Sequence, residues 1–108
     1  MTRDNFYVVF SHYDGYGHKS RLVDKVTGEV FSYKGYQFGL YHDKKEGLWK
    51  LVDLATGKKL TESKSRIQAM TRITIPEVFA NYQEITKLSS YPELKQELAD
   101  LVKGGCAA

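Results

Sequence analysis

Apolar side chains lie on both faces of two strand-like segments, and this feature constrains the fold most. Residues 5–12 and 48–54 both alternate with the two-residue period of a β-strand. In each segment both alternating sets are largely apolar: Phe6, Val8 and Phe10 against Tyr7 and Val9, and Leu48, Val52 and Leu54 against Trp49 and Leu51. A sheet that contains them needs cover on both sides. We expect it to curl into a partial barrel; the alternative is that its second face binds a partner.

Short segments of strand-forming residues, separated by turn residues, fill the first sixty positions. Strands are predicted at 5–12, 21–26, 29–33, 36–42 and 48–54, with a last short strand at 58–61. The predicted turns are Thr27-Gly28, Lys34-Gly35 and residues 43–47. The sequence therefore predicts an antiparallel meander of five to six short strands.

An internal echo links two of these regions. Residues 22–31 (LVDKVTGEVF) and 51–60 (LVDLATGKKL) are identical at five of ten positions. We interpret the shared Asp-x-x-Thr-Gly as a favourable hairpin turn, because Asp and Thr can bond nearby backbone and Gly tolerates positive φ. Duplication of a hairpin is the alternative. Neither interpretation assigns a function, and both explain Asp24 and Asp53 without an acid/base role.

The last third of the chain is predicted to be helical. Thr74-Ile75-Pro76-Glu77 and Ser90-Tyr91-Pro92-Glu93 both fit the capping box, with proline in the first turn. A further helix over about 64–72, capped by Thr61 or Ser63, would bury Ile67 and Met70. We therefore predict one α+β domain over residues 1–104. Its strands span about 5–61, its three helices span about 64–103 and pack on one face of the sheet, and residues 105–108 form a flexible tail.

Charge, hydropathy and cysteine content indicate where in the cell the protein works. The net charge is +3, with 13 Lys/Arg and 8 Asp/Glu in residues 1–74 against 3 and 5 in residues 75–108. The apolar run Phe6–Phe10 is too short for a signal peptide or a membrane span. Cys106, the single cysteine, cannot form an internal disulfide. We expect a cytoplasmic protein that does not associate with membranes.

Catalytic and cofactor signatures are weak. His12, Asp14 and His18 could supply metal ligands, but a solvated loop explains them better because no second cluster completes a site. Residues 15–20 (GYGHKS) fail as a phosphate-binding loop, because His18 separates Gly17 from Lys19 and a strand follows. We predict no catalytic residue, no metal and no cofactor. A small metal-dependent enzyme is the third-ranked hypothesis.

Recognition by surface contact remains. We predict a non-enzymatic binding or regulatory module that docks on a partner protein through aromatic sheet or loop surface. The candidate residues are Tyr7, Tyr13, Tyr16, Tyr41 and Trp49. Self-association through the same surface is a further possibility. The chain has the general size and character of small accessory or inhibitor proteins of phages and other mobile elements, without any motif that matches one.

The alternative is nucleic-acid binding through the basic segment 58–72. Its candidate residues are Lys58, Lys59, Lys64, Arg66 and Arg72. On a helix that begins near Lys64, Lys64 and Arg66 lie about 200° apart, so the cations do not form one stripe.

Overall fold

A five-stranded antiparallel sheet precedes three helices. The computed structural model describes residues 2–13 and 15–104, with the side chain of His12 left out. The strands follow one another in the sheet in chain order, so the predicted α+β meander is confirmed. The predicted tail 105–108 lies outside the described residues. The elements are β1 (Thr2–Tyr13), β2 (Lys19–Tyr33), β3 (Tyr36–Asp43), β4 (Leu48–Asp53), β5 (Lys59–Ser63), α1 (Arg66–Thr71), a 3-10 turn (Arg72–Thr74), α2 (Pro76–Lys87) and α3 (Tyr91–Lys103).

The second strand is one long element, so the turn predicted at Thr27-Gly28 is wrong. Residues 19–30 pair with β1, whereas Glu29–Tyr33 pair with β3. A side chain at Gly28 would collide with the carbonyl oxygen of Leu40. The glycine is therefore needed because two backbones approach closely, not because the chain turns.

The repeated motif makes a hairpin turn only in its second copy. Gly57 has φ 71°, and its N–H donates to the Asp53 carbonyl over 2.7 Å. In the first copy the long β1 pairs with residues 22–30, and this pairing overrides the local turn preference. The two copies thus play different roles: one bends a strand and the other reverses the chain.

The sheet curls, as expected. We call β1 and residues 19–28 of β2 the ribbon. Within the described chain, this part of β2 pairs with β1, whereas Glu29–Tyr33 pair with β3. The ribbon folds over one face of the sheet, and the Val9 N–H donates to the Gly57 carbonyl over 2.8 Å. Phe6 lies directly on Gly39, where a Cβ would come within 2.7 Å of the ring. The inner core comprises Phe6, Val8 and Val52, with Val26, Val30, Tyr41 and Leu54 packed around them.

Helices α1 and α2 cover the other face, whereas α3 lies against β2 of the ribbon, where Glu97 pairs with Arg21. The prediction that all three helices pack on one face is therefore wrong for α3. Phe79 of α2 meets the rings of Tyr33 and Tyr36 edge to face, at centroid distances of 5.1 and 5.7 Å. Both apolar faces of the strands are thus buried, one by helices and one by the ribbon. The outer core comprises Phe38, Leu40, Leu51, Ala69, Ile73, Phe79 and Tyr82.

A buried carboxylate ties the helices to the sheet. Asp53 accepts hydrogen bonds from the hydroxyls of Tyr82 (2.9 Å), Tyr91 (2.6 Å) and Thr56 (3.0 Å). Burial, together with the adjacent carboxylate, raises the pKa of both tyrosines. One side chain therefore joins α2, the start of α3 and the turn after β4, which supports a structural rather than a catalytic role.

The helices begin differently from the prediction. The Thr74 hydroxyl donates back to the Thr71 carbonyl over 2.6 Å, because the 3-10 turn ends there, so Ile75 takes the N-cap position of α2. Ser90 likewise makes no side-chain capping bond to α3. The capping-box hydrogen bonds are therefore wrong for both helices, whereas Ser90 does hold the N-cap position of α3 and each proline does lie in the first turn.

The first helix is shorter and rotated relative to the prediction. It begins after Ser65, whose hydroxyl accepts from the Gln68 N–H over 3.4 Å. Ile67 is 63% exposed instead of buried. Ala69 faces the sheet. Residues two positions apart on a helix point in directions about 200° apart around its axis, so Ile67 points outward.

Replacing Asp53 with alanine should lower the free energy of unfolding by about 2–4 kcal/mol, because three hydroxyls lose their acceptor in a buried site. Urea denaturation followed by circular dichroism measures this. Asp100→Ala is the control, since Asp100 is exposed. Equal effects of the two changes would contradict the role assigned to Asp53.

Alkali should weaken the fold through the same cluster. Unfolded tyrosine releases its proton near pH 10.0, whereas the folded pKa of Tyr91 is raised, so the folded state holds more protons in between. This contribution is fully present below pH 10 and is lost as pH rises toward the folded pKa. Chemical denaturation from pH 8 to about 11 should show a smaller loss in Tyr91→Phe than in the unmodified protein. Parallel curves would count against the cluster.

Candidate functional site

The strands β2 and β3 pair along only part of their length and then separate, which opens a cleft between them. The pairing of β2 with β3 ends at Glu29 and Leu40. The residues of β2 that come before Glu29 pair with β1, while Tyr41–Asp43 of β3 pair with β4. The cleft between them has a volume of about 590 Å³. It is lined by Val8, Phe10, Ser11, Asp24, Val26, Thr27, Tyr41, His42, Asp43, Lys44, Lys45, Glu46 and Lys50. It is thus the open end of the curled sheet, a common place for ligand sites.

The floor of the cleft is apolar. Val8, Val26 and the ring of Tyr41 belong to the inner core, and burial raises the pKa of the Tyr41 hydroxyl. Phe10 continues the same ribbon face but is 38% exposed. The cleft therefore offers contact area for an apolar group at its mouth.

A charged cluster forms one wall. Lys50 is only 8% exposed, and its Nζ lies 2.9 Å from Asp43 Oδ2 and 3.2 Å from Glu46 Oε2. Burial lowers the pKa of Lys50, but the two hydrogen bonds outweigh burial and leave it raised. The bond to Lys50 also lowers the pKa of Asp43. Asp43 further accepts from the Lys45 N–H over 3.0 Å, so the cluster holds the β3–β4 turn together.

The opposite wall carries a different carboxylate. Asp24 is half-buried on the ribbon and lines the cleft. Among the residues that the structure describes, it makes no hydrogen bond and no ion pair, in contrast to Asp43. A carboxylate in such a place is favourable only if water or a cationic group meets it. Sequence reasoning missed Asp24 because the motif placed it in a turn.

The predicted aromatic residues divide into two groups. Tyr13 and Tyr16 are 63% and 90% exposed at the outer end of the ribbon, and Tyr7 is partly exposed. Tyr41 is half-buried in the inner core, and Trp49 packs on the outer core with its ring 5.0 Å from that of His42. The exposed set gains Phe10, which the sequence analysis placed on the same strand face as Phe6 and Val8 without naming it as a docking candidate.

The predicted basic residues do not all converge: Lys59 and Arg72 meet at Glu62, and the others lie elsewhere. Arg66 pairs with Glu29, whereas Arg72 Nη1 donates to the Glu62 carbonyl over 2.6 Å. Lys59 lies 3.1 Å from the Glu62 carboxylate, and Lys64 is exposed. Lys58 lies elsewhere: burial, with Arg21 nearby, lowers its pKa.

The metal-site alternative weighed for His12, Asp14 and His18 stays untested, because the side chain of His12 and the whole of Asp14 lie outside the described residues. Within the described chain, no group of three or more His, Cys, Asp and Glu side chains is arranged to hold a metal ion. No described helix has the length and apolar character needed to cross a membrane. Comparison with known proteins finds no matching family model, curated protein or solved structure.

Acid should weaken the fold through the Lys50 cluster. The folded pKa of Asp43 lies below its ordinary value of 3.8, so its contribution is present above that pH and is lost as pH falls through the folded pKa. Lys50→Met should cost about 1–3 kcal/mol at neutral pH, because two carboxylates lose their cation. It should also flatten the loss of stability on acidification. Denaturant titrations from pH 7 to about 2 measure both effects, and an unchanged acid dependence would contradict this assignment.

Proposed function

We propose that this protein is a non-enzymatic binding module that docks on a partner protein through the outer end of the ribbon and the adjoining cleft. The observation that carries the proposal is the exposure of aromatic side chains on the ribbon and on the loop that joins its two strands. Phe10 lines the cleft mouth, and Tyr13 and Tyr16 lie beyond it. Aromatic side chains of this kind dominate the energetics of protein interfaces.

A protein partner fits the charges better than a nucleic acid does. A nucleic-acid site needs cations that converge on one surface. Arg66, Lys59 and Arg72 instead engage groups of the protein itself. Two ribbon cations, Lys19 and Arg21, lie near Lys58, and Arg21 is 3.1 Å from Glu97 of α3. These pairings reduce the charge that is left to attract phosphates.

Binding also fits the cleft better than catalysis does. The charged groups of its wall pair with one another, because Lys50 binds Asp43 and Glu46 of the turn that it stabilises. The His42 ring packs against Trp49, and within the described chain His42 makes no hydrogen bond to Asp24. These contacts do not support an acid/base pair in the cleft. We therefore keep a non-enzymatic role in the proposal. The cytoplasmic location remains a prediction.

The double variant Tyr13→Ala/Tyr16→Ala should lose partner binding. Affinity capture from a lysate of the native cells, quantified by mass spectrometry, should recover the specific partner at least about tenfold less well than with the unmodified protein, because aromatic anchors are lost. Ile67→Ala is the matched control, since Ile67 and Tyr13 are equally exposed at 63%. It should leave recovery unchanged.

Two outcomes would contradict the proposal. One is recovery that does not depend on the tyrosines. The other is capture of nucleic acid in place of protein, with retention that falls steeply as salt rises because counterion release drives such binding. Capture that changes little with salt supports the aromatic surface.

A further inference from the structure

We propose that the partner presents an extended peptide segment, which adds as a strand to the open edge of β2 inside the cleft. This inference rests on the proposed function, because it names what the docking partner offers. It follows from the direction of backbone groups, the state of the other sheet edges and the carboxylate of Asp24, which has no ion-pair partner in the described chain.

The backbone groups of β2 face the cleft at alternate residues. The Val9 N–H points away from β2, since it donates to Gly57. In an antiparallel pair, residues directly opposite each other either exchange both bonds or turn both sets of groups outward. Val23 lies opposite Val9, so its groups also point away from β1, and so do those of Lys25 and Thr27 by the same alternation.

The outward groups of β2 point to the place that β3 has left. Glu29, two residues beyond Thr27, has the same parity and pairs with Leu40 of β3. Before that pair, the described part of β2 has β1 as its pairing partner. On the other side of the gap, the backbone groups of Leu40 face β2. His42 lies two residues further along β3, so its backbone groups face the gap as well. Asp24 and Val26, which flank Lys25, line the cleft.

The other edges of the sheet are less open. The free edge of β1 meets the turn after β4, where Val9 bonds Gly57. The β5 edge has five residues, a register irregularity in its pairing with β4, and the Arg72 guanidinium on the Glu62 carbonyl. Short, irregular or covered edges resist strand addition. The β2 edge in the cleft lacks these protections, which favours it as the site for a peptide strand.

The cleft also indicates the peptide's side chains. Alternate residues of an added strand would face the floor, where Val26 and Tyr41 favour apolar groups. Asp24 is half-buried and has no ion-pair partner in the described chain, so it favours a lysine or arginine at a neighbouring inward position. We therefore expect an extended segment with apolar residues and one basic residue on the same side.

A display library of random linear peptides, selected against the whole protein, provides the probe. Selected peptides should bind Lys25→Pro at least about tenfold more weakly than the unmodified protein, because proline removes the N–H that faces the gap. Lys25→Ala keeps that N–H and should bind normally. Asp24→Asn should weaken peptides that carry Lys or Arg about threefold to tenfold.

Amide hydrogen exchange on the unmodified protein gives a second measurement that does not depend on the proline variant folding. Bound peptide should slow exchange at Lys25 and Thr27. The inference is overturned if no peptide is selected above background, if folded Lys25→Pro binds as well as Lys25→Ala, or if protection appears on β5 instead. If partner capture still requires Tyr13 and Tyr16 in any of these cases, the proposed function stands and strand addition fails.

Discussion

The close approach of two backbones at Gly28 and Leu40 governs the rest of the structure. Because Gly28 has no side chain, β2 can lie against the Leu40 carbonyl and still belong to both halves of the sheet. Beyond this contact the ribbon folds over the inner face, where Phe6 covers Gly39. The same divergence that buries the second apolar face also leaves a cleft between β2 and β3. The core and the candidate site therefore share one cause.

The two faces of the sheet are secured in different ways. The inner face depends on shape, since a ring packs on a glycine and the Val9–Gly57 backbone bond joins β1 to the turn after β4. The outer face depends on a polar anchor, because the Asp53 carboxylate gathers hydroxyls from two helices. In the described chain, the aromatic side chains that stay exposed lie on β1 and on the loop after it, with the greatest exposure at Tyr13 and Tyr16. The proposed docking surface is thus the part of the ribbon that has no sheet beneath it.

Sequence reasoning predicted what depends on local pattern and missed what depends on distant contacts. Alternation on both faces predicted the curled sheet, and proline with helical spacing predicted α2 and α3. The Thr27-Gly28 turn failed because pairing with β1 overrides a local signal, and Ile67 was misplaced because the facing of a short helix depends on Ala69 packing below it. Asp24 and Phe10 could not be found as cleft residues before the divergence of β2 and β3 was known.

The central claim is that the ribbon folds over the inner face. Nuclear Overhauser contacts between the Phe6 ring and the Gly39 α-protons, and between the amide of Val9 and residues of the turn around Gly57, test it most directly. The account predicts both sets of contacts in the free protein, together with those of the β1–β2 ladder. Intact ladder contacts without any contact from Phe6 to Gly39 would show an uncurled sheet and would contradict the account.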